Sequence, residues 1–362
     1  MNIKKVRFFV LILSVLLLAS CATTVNVRLT RPAQLDLNGA KTIAILPFKP
    51  CSYYREYNSE ASIGRKIVVN SFYQIFEIKD PNEQTAIDSL RSQVERGLLD
   101  SPYIKLVSAE SVERSLKKGS LNPADVYLTG EVTYFDVSDS RHEERKKVRE
   151  AQGDRLAEYQ IYNYWVREVT FNFRYQIVDS STEKVIGYRE VRCNESSSKY
   201  ESRNALPGAY SLIESDVKAS ARKILQELQP YTVTKSIKLL ESKTKDKELK
   251  ARMKAADKLA DNSQLAKASE EFTKIYEDTG LVEAGYNAAI LQEALGNFGT
   301  AEKMMSDLYD KTKDSRVARG LSDIQYEINQ ANRLQKQIKG SDKSEDLDAI
   351  EEDDSEDLGL DF

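Results

Sequence analysis

The chain has 362 residues, too many for one ordinary hydrophobic core, so we expect two folded units. A hydrophobic fraction of 41%, a charged fraction of 30% and a mean hydropathy of −0.52 exclude a multi-span membrane protein. One His and three scattered Cys exclude His-rich and four-Cys zinc sites, and we expect no metal. The net charge of −4 conceals an acidic carboxyl terminus, while the remaining basic residues mostly alternate with acidic ones, which argues against nucleic-acid binding.

Residues 1–20 predict a secretion signal. A basic start precedes an apolar run at 8–18 that is too short to span a bilayer comfortably. The run ends in Leu18, Ala19, Ser20 and Cys21, which resembles the lipobox of bacterial lipoproteins. That resemblance implies cleavage before Cys21 and a diacylglycerol and an N-acyl lipid on this residue. Apart from this lipid we expect no cofactor.

The residues that follow Cys21 bear on the location of the protein. Ala22 stands where an Asp tends to retain lipoproteins in the inner membrane, so the resemblance implies attachment to the outer membrane, most simply at its periplasmic face. The leaflet stays open. Residues 21–39 are interpreted as a tether that joins the lipid anchor to the first domain.

Residues 40–230 predict an α/β domain, a small mixed sheet packed with helices into a sandwich. The apolar run 42–48 reads as a strand buried on both faces. Further strands are predicted at 103–107, 124–135, 169–178 and 184–192, and helices at 83–99, 109–117 and 210–228. We expect Asn82 and Ser108 to cap two of these helices, and Gly130 to mark a bulge or close packing.

Two cysteines remain after Cys21, and an oxidising compartment permits a disulfide between them. Cys51 follows one predicted strand and Cys193 lies near the end of another, so a bridge is geometrically conceivable. The alternative is that both are unpaired small hydrophobic residues.

The runs IAILPF, IKLVSAESVERSL, ADVYLTGEVTYFDV and FRYQIVDSSTEKVIG resemble, in order and pattern, the curli-secretion (CsgG-type) lipoprotein domain. That superfamily includes activators of penicillin-binding proteins and the amino-terminal domain of TolB. The resemblance covers roughly residues 40–230 and implies a non-enzymatic role in secretion, envelope assembly or recruitment.

Two insertions, 52–80 and 139–168, depart from the minimal pattern of that domain. In curli-secretion channels, insertions of this kind supply membrane hairpins that join neighbouring copies into a barrel. The apolar/polar alternation is ragged in both segments here. We therefore favour a longer hairpin and a charged surface loop that pack on the domain, and keep the pore as the alternative.

From about residue 231 to 340 the composition favours stacked helices. Small and large residues recur 33 positions apart, and the segment resembles tetratricopeptide repeats, which implies a concave surface that binds envelope proteins or peptides. The predicted framework of this surface consists of Ala268, Phe272, Ile275, Tyr276, Ala288, Ala289, Gly296, Phe298, Ala301, Met305 and Leu308.

Residues 341–362 hold eleven acidic residues and one Lys, which predicts disorder. A Ser/His/acid triad can be written around His142, but the surrounding charged run is typical of a solvated surface, so we expect no enzyme and no catalytic residue. The leading hypothesis is a lipid-anchored periplasmic adaptor in envelope assembly or secretion. A ring-forming outer-membrane secretion channel is the alternative, and a homo-oligomer is possible in either case.

Overall fold

A computed structural model of the chain describes residues 23–37, 39–51, 62–72, 80–119, 123–150 and 156–353, with side chains described up to residue 339. The chain divides into two compact units. The α/β unit consists of Ala33–Tyr231 with Gln337–Phe362, and the helical unit consists of Met1–Pro32 with Thr232–Lys336. The mixed α/β content agrees with the predicted fold class.

The α/β unit is built on one mixed five-stranded sheet. Its strands are β2 (Thr42–Ile45), β3 (Lys105–Val107), β4 (Val126–Arg149), β5 (Glu158–Asp179) and β6 (Val185–Ser196), in the spatial order β3-β2-β4-β5-β6. Strand β2 runs parallel to β3 and β4, whereas β4, β5 and β6 are antiparallel neighbours. All five strands were predicted, but β4 and β5 are far longer than the sequence indicated.

Helices cover both faces of this sheet. They are α1 (Ile63–Phe72), α2 (Pro81–Leu99), α3 (Ala109–Lys117) and α4 (Ala209–Leu228). Helices α2 and α4 bury one face together with Ile43 and Ile45, while α1 and α3 bury the other together with Ala44 and Leu46. Strand β2 is therefore buried on both faces, as its continuous apolar run predicted.

Local signals explain how two of these helices begin. Ser108 caps α3 as predicted, because its side chain accepts a hydrogen bond from the Ser111 backbone N–H. The cap of α2 is Asp80 rather than the predicted Asn82. Pro81 occupies the first helical position, where a missing N–H costs nothing, and this moves the start of the helix two residues upstream.

Gly130 marks close packing in the middle of β4. A Cβ atom at this position would come 2.2 Å from the Cζ atom of Phe173 on β5. The irregularity in the pairing of β4 with β5 lies between Val132 and Tyr134, two residues further on. Of the two readings of Gly130, the structure supports close packing.

The insertion 52–80 contains the helix α1, where the sequence favoured a hairpin or a surface loop, and of its other residues only Ser62 and Asp80 are described. Val68 of α1 is fully buried against the sheet. The insertion 139–168 forms the end of the β4–β5 hairpin, with its charged run in a strand instead of a loop. Most of its side chains are exposed, whereas the sequence-based interpretation had the insertions packing on the domain.

Cys51 and Cys193 are not joined by a disulfide. Cys51 is exposed beyond the end of β2, whereas Cys193 is buried in β6. Strands β4 and β5 lie between β2 and β6, so three strand spacings, about 14 Å, separate the two strands. A disulfide needs Cα atoms within about 7 Å of each other.

The helical unit contains α5 (Lys247–Asp261), α6 (Leu265–Thr279), α7 (Val282–Ala294), α8 (Phe298–Thr312) and most of α9 (Ser315–Asp353). Consecutive helices from α5 to α8 pack on each other. Apolar residues from all five helices form one core.

The 33-residue spacing seen in the sequence has a counterpart in the backbone. Ser263 and Gly296, which are 33 residues apart, both have positive φ (59° and 80°) in the turns before α6 and α8. Gly280 and Lys313, again 33 apart, end these two helices in the left-handed conformation and donate to the carbonyls of Tyr276 and Tyr309, respectively. Helix ends and turns thus repeat with the same period as the side chains.

The helical unit is not all-α, which corrects the sequence-based expectation. Strand β1 (Thr24–Arg31) lies in the predicted tether, and β7 (Tyr231–Lys238) opens the region predicted to be helical. The two strands pair as a separate sheet, with Leu239 N–H donating to Thr23 C=O at 2.9 Å and Ser236 donating to Asn26 at 2.7 Å. This register makes the strands antiparallel.

The acidic terminus also differs from expectation over part of its length. Helix α9 continues through Asp353, so the backbone of 341–353 is helical where disorder was predicted. Adding a turn to an existing helix avoids the cost of nucleation, which an isolated acidic segment would have to meet. Residues 354–362 lie outside the described residues, as do the signal, Leu18, Ala19, Ser20 and Cys21.

Candidate functional site

The predicted repeat framework forms the interior of the helical unit. Gly296 lies in the turn before α8, and Phe298 and Tyr276 are half-buried. The other members are at most 2% exposed: Ala268, Phe272, Ile275, Ala288, Ala289, Ala301, Met305 and Leu308. These eight residues hold the helices together, and a partner could reach them only after the unit unfolds.

The chain's own strands occupy one face of the helical unit. Val25, Val27, Ile237 and Leu239 are buried in the same core as the helices, while the residues between them are exposed. Beyond β7, Asn287 of α7 donates to the Leu240 carbonyl at 3.0 Å and accepts from its backbone N–H at 2.7 Å. A partner peptide could bind this face only by displacing these strands.

Four charged residues fasten the strands to the helices, and we call them the strand clamp: Arg31, Lys235, Glu293 and Glu327. Arg31 of β1 donates to both carboxylate oxygens of Glu327 on α9. Lys235 of β7 donates to Glu327 at 2.9 Å and to Glu293 on α7. Both carboxylates are at most 4% exposed. Two cations and two anions are therefore desolvated together, and removing one leaves the others uncompensated.

The surroundings shift the pKa values of the clamp in opposite directions. Burial raises the pKa of Glu293 against the hydrogen bond from Lys235, and one of its carboxylate oxygens has no hydrogen-bond partner among the described residues. Burial acts the same way on Glu327, but hydrogen bonds from Arg31 and Lys235 hold its pKa below the usual value. Burial opposes the charge of Lys235, yet its two carboxylate partners keep the pKa of that side chain raised. Glu327, which accepts hydrogen bonds from both Arg31 and Lys235, is therefore the centre of the clamp.

The most exposed feature of the α/β unit is the distal part of the β4–β5 hairpin. We call residues 138–149 of β4 and 158–168 of β5 the ribbon. The two strands stay paired from Ser138 with Glu168 to Arg149 with Glu158. A strand advances about 3.3 Å per residue, so the ribbon is roughly 35–40 Å long.

Both edges of the ribbon are open over most of its length. Pairing of β5 with β6 stops at Glu168, and pairing of β4 with β2 stops at Leu128. In the described ranges, further backbone hydrogen bonds to the ribbon lie near its base, between Trp165 and Tyr200 and from the Ser197 N–H to the Arg167 carbonyl. Unpaired strand edges carry free N–H and C=O groups that can pair with another chain.

Cationic side chains of β4 lie over aromatic rings of β5 along the ribbon. The guanidinium of Arg145 lies 4.2 Å from the ring centre of Tyr159, and the ammonium of Lys146 lies 5.5 Å from that of Tyr162. Ile161, between the two tyrosines, is 62% exposed. A surface of exposed aromatic, aliphatic and cationic groups has the composition of a protein interface.

The base of the ribbon is rigid because Asp139 joins three segments. Arg167 donates to both Asp139 oxygens at 2.7 and 2.9 Å, and Arg203, from the short 3₁₀ helix Arg203–Ala205, adds a third bond at 2.9 Å. These hydrogen bonds lower the pKa of Asp139 to about 2, against the opposing effect of its burial. The exposed part of the ribbon therefore projects from a fixed base.

His142 lies on the ribbon and makes local contacts. Its Nε2 lies 2.8 Å from the Ser140 hydroxyl, and its ring stacks on Tyr164 with 5.4 Å between ring centres. Within the described ranges no carboxylate is hydrogen-bonded to this ring. His142 is exposed to solvent, so the orientation and desolvation that a general base requires are missing at this position.

Sequence reasoning missed Arg31, Lys235, Asn287, Glu293 and Glu327. The available signal was the strict alternation in TVNVRLTR and YTVTKSIK, which is typical of half-buried strands. Nothing in the sequence paired these two segments, which are separated by the whole α/β unit. Among the described residues no cluster of His, Cys, Asp or Glu is arranged to hold a metal ion.

No family model and no curated protein matches the chain. Among solved structures, the chain is similar to PelC from Paraburkholderia phytofirmans, described as a dodecamer, at 14% identity and a TM-score of 0.25, covering 57% of this chain and 98% of that one. Lipoprotein GNA1162 from Neisseria meningitidis is similar at 13% identity and a TM-score of 0.24, covering 51% and 97%.

A third similar structure is protein XCC0632 from Xanthomonas campestris, of the DUF330 family, at 13% identity and a TM-score of 0.24, covering 56% of this chain and 88% of that one. These neighbours are thus bacterial proteins, one of them named as a lipoprotein. No helix among the described residues has the length and apolar character needed to cross a membrane.

Proposed function

We propose that the chain is a lipid-anchored, non-enzymatic adaptor of the bacterial cell envelope that binds partner proteins. The single observation that carries this proposal is the ribbon. It presents exposed Tyr159 and Ile161 on one face and Tyr162 on the other, on a base fixed by Asp139, next to cations that stack on two of these rings. Aromatic anchors surrounded by charged residues are typical of binding hot spots.

The signal and the lipobox support the anchor. Cleavage before Cys21 would leave a lipidated amino terminus, and Ala22 is consistent with the periplasmic face of the outer membrane. Lipidation is an expectation of the sequence, and mass spectrometry of the mature amino-terminal peptide tests it directly.

The helical unit would serve as the scaffold of this adaptor. Its 33-residue repeat resembles tetratricopeptide repeats, which bind peptides on a concave face. Strands β1 and β7 occupy one helix face here, so the partner contact is assigned to the ribbon and to helix surfaces that the strands leave exposed. Leu295 and Tyr326, at 39% and 55% exposure, are candidates for such surfaces.

Site-specific photo-cross-linking in cells tests the partner contact. A photoreactive amino acid would replace Ile161 on the ribbon, and in a matched control it would replace Tyr188 of β6, which is 48% exposed on the same unit. The proposal predicts a discrete cross-linked protein from position 161 and none from position 188. Equal labelling from both positions, or none from 161, would contradict it.

A ring-forming secretion channel is the second candidate, because both edges of the ribbon are open. Ribbons from neighbouring copies could then pair edge to edge and close a ring. The native mass of the lipidated protein in mild detergent, corrected for the micelle, separates the two candidates. A discrete ring of many copies favours the channel, whereas a monomer or dimer favours the adaptor.

A further inference from the structure

The helical unit begins very close to the proposed lipid anchor. Only Ala22 and Thr23 separate Cys21 from β1, and two residues of extended chain reach at most about 7 Å. Thr23 is itself fixed, because its carbonyl accepts the backbone N–H of Leu239 at 2.9 Å. If lipid holds Cys21 at a bilayer surface, this end of the helical unit must lie at that surface too.

A lysine-rich segment follows directly from this point. Leu239 leads through Leu240, which Asn287 fixes, into residues 243–254, which contain six basic residues and two acidic ones, a net charge of +4. Four residues of chain reach at most about 14 Å, so Lys243 lies within that distance of Leu239. The segment continues into α5, which packs on β1.

The positive charges of this segment are available to an external anion. Five lysines are exposed and form no ion pair with any described residue: Lys243, Lys245, Lys247, Lys250 and Lys254. Arg252 is different, since it pairs with Asp278 at 2.7 Å. Of the two acidic residues, Asp246 accepts the backbone N–H groups of Glu248 and Leu249 and so serves as the cap of α5.

The later helices of the helical unit have the opposite charge. Residues 259–336 contain nine basic and thirteen acidic residues, a net charge of −4. Several lysines there are paired, for example Lys274 with Glu271 and Lys313 with Asp310. The unit is therefore electrically asymmetric, and its positive segment is the one connected to the amino terminus.

We propose that residues 243–254 form a docking surface for anionic phospholipid headgroups, so that the anchored protein rests on the bilayer through the lysines of this segment. The inference rests on the proposed lipid anchor at Cys21. Basic groups within a Debye length of an anionic membrane surface are attracted to it, and the short connection at 22–23 keeps the end of the helical unit from which the segment starts close to that surface.

Lysine reactivity in reconstituted vesicles tests the proposal. The lipidated full chain would be inserted into vesicles of phosphatidylcholine, with or without about one third phosphatidylglycerol, and treated with an acetylating reagent. We expect Lys243, Lys247 and Lys250 to react about fivefold more slowly on the anionic vesicles than on the neutral ones. The matched controls Lys267 and Lys303, exposed in the same unit, should change by less than about twofold.

A variant and a salt series identify the cause of any protection. The triple change Lys243→Gln, Lys247→Gln and Lys250→Gln should abolish the protection that Lys245 and Lys254 gain on anionic vesicles. Lys267→Gln with Lys303→Gln should preserve it. Raising the salt from about 0.1 to about 0.5 M should remove the protection, because screening shortens the range of attraction.

The outcomes separate this inference from the proposed function. If the chain is lipidated and attached but its lysines react equally on both vesicle types, the docking surface is refuted and the anchor stands. Equal protection on neutral and anionic vesicles likewise refutes recognition of anionic headgroups. If mass spectrometry finds no lipid on Cys21, the proposed anchor is refuted, and the docking inference falls with it.

Discussion

The β1–β7 sheet of the helical unit and the ribbon of the α/β unit are both two-stranded, and both carry large apolar or aromatic side chains. In the β1–β7 sheet, Val25, Val27 and Ile237 are buried, and the clamp cations on the same strands are paired with Glu327. In the second, Tyr159 and Ile161 are exposed and their neighbouring cations stack on rings in solvent.

The difference teaches that apolar side chains on a strand do not by themselves say what covers them. In the helical unit they are covered by helices of the same chain. In the ribbon the described part of the chain leaves Tyr159 and Ile161 exposed. Apolar strand residues thus contribute to stability in one region and are available for binding in the other.

The largest expected effect is at the centre of the clamp. Glu327→Gln keeps the volume but leaves Arg31 and Lys235 short of a negative charge in a buried site, and should lower the free energy of unfolding of the helical unit by about 3 kcal/mol. Urea unfolding followed by far-UV circular dichroism measures this loss.

The control for this change is Glu271→Gln, which breaks a half-exposed pair with Lys274 in the same unit. Exposed pairs of this kind are worth less than about 0.5 kcal/mol. Equal losses in the two variants would mean that the clamp is no more than a surface salt bridge.

The second prediction introduces a Thr in place of an apolar residue of β1, and the last prediction makes the same kind of change in the ribbon. Val27→Thr places a hydroxyl among buried apolar groups and should destabilise the helical unit by about 1–3 kcal/mol. Hydrogen exchange in β7 and α5 should accelerate, because β1 packs on both. Unchanged exchange there would show that β1 does not hold this face.

The third prediction concerns pH at the base of the ribbon. The pKa of Asp139 is about 2 in the folded protein, below its ordinary value of 3.8, so its stabilising effect is fully present above pH 4 and is lost as the pH falls towards 2. Asp139→Asn should therefore cost about 1 kcal/mol at neutral pH, and this difference should disappear in acid.

The fluorescence of Trp165, the single Trp of the chain, reports on this region because Arg203 lies over its ring. Urea midpoints measured at several pH values give one stability curve for the unchanged protein and one for Asp139→Asn. Asp136→Asn, at an exposed position of the same strand, should change the free energy of unfolding by less than about 0.5 kcal/mol at every pH. If Asp139→Asn remains as much less stable than the unchanged protein at pH 2 as at neutral pH, the ionised Asp139 carboxylate is not the source of the stabilisation.

The smallest expected effect on stability is on the ribbon. Ile161→Thr should change the free energy of unfolding by less than about 0.5 kcal/mol, because the side chain is exposed and Thr suits a strand. The same variant should lose the cross-linked partner if the ribbon binds it. A large loss of stability would mean that another part of the protein packs on Ile161.

Sequence patterns predicted all five strands and three of the four helices of the α/β unit, but not α1 or the full length of β4 and β5. The apolar run at 42–48, the helical spacing at 83–99 and the Ser108 cap each have a local cause, and all three are present. The 33-residue repeat likewise followed from residues close in sequence. Strand β1 and the clamp were missed because they depend on contacts such as Arg31 with Glu327, 296 residues apart.

The sequence by itself determined the elements that have local signals, such as the strand in the apolar run 42–48 and the helix that starts at the Ser108 cap, because those signals involve residues a few positions apart. The tertiary structure alone decided that TVNVRLTR is a buried strand instead of a tether, that the repeat framework is interior, and that Cys51 and Cys193 stay apart. Each of these outcomes depends on which distant segment covers a surface, and a local pattern does not specify that segment.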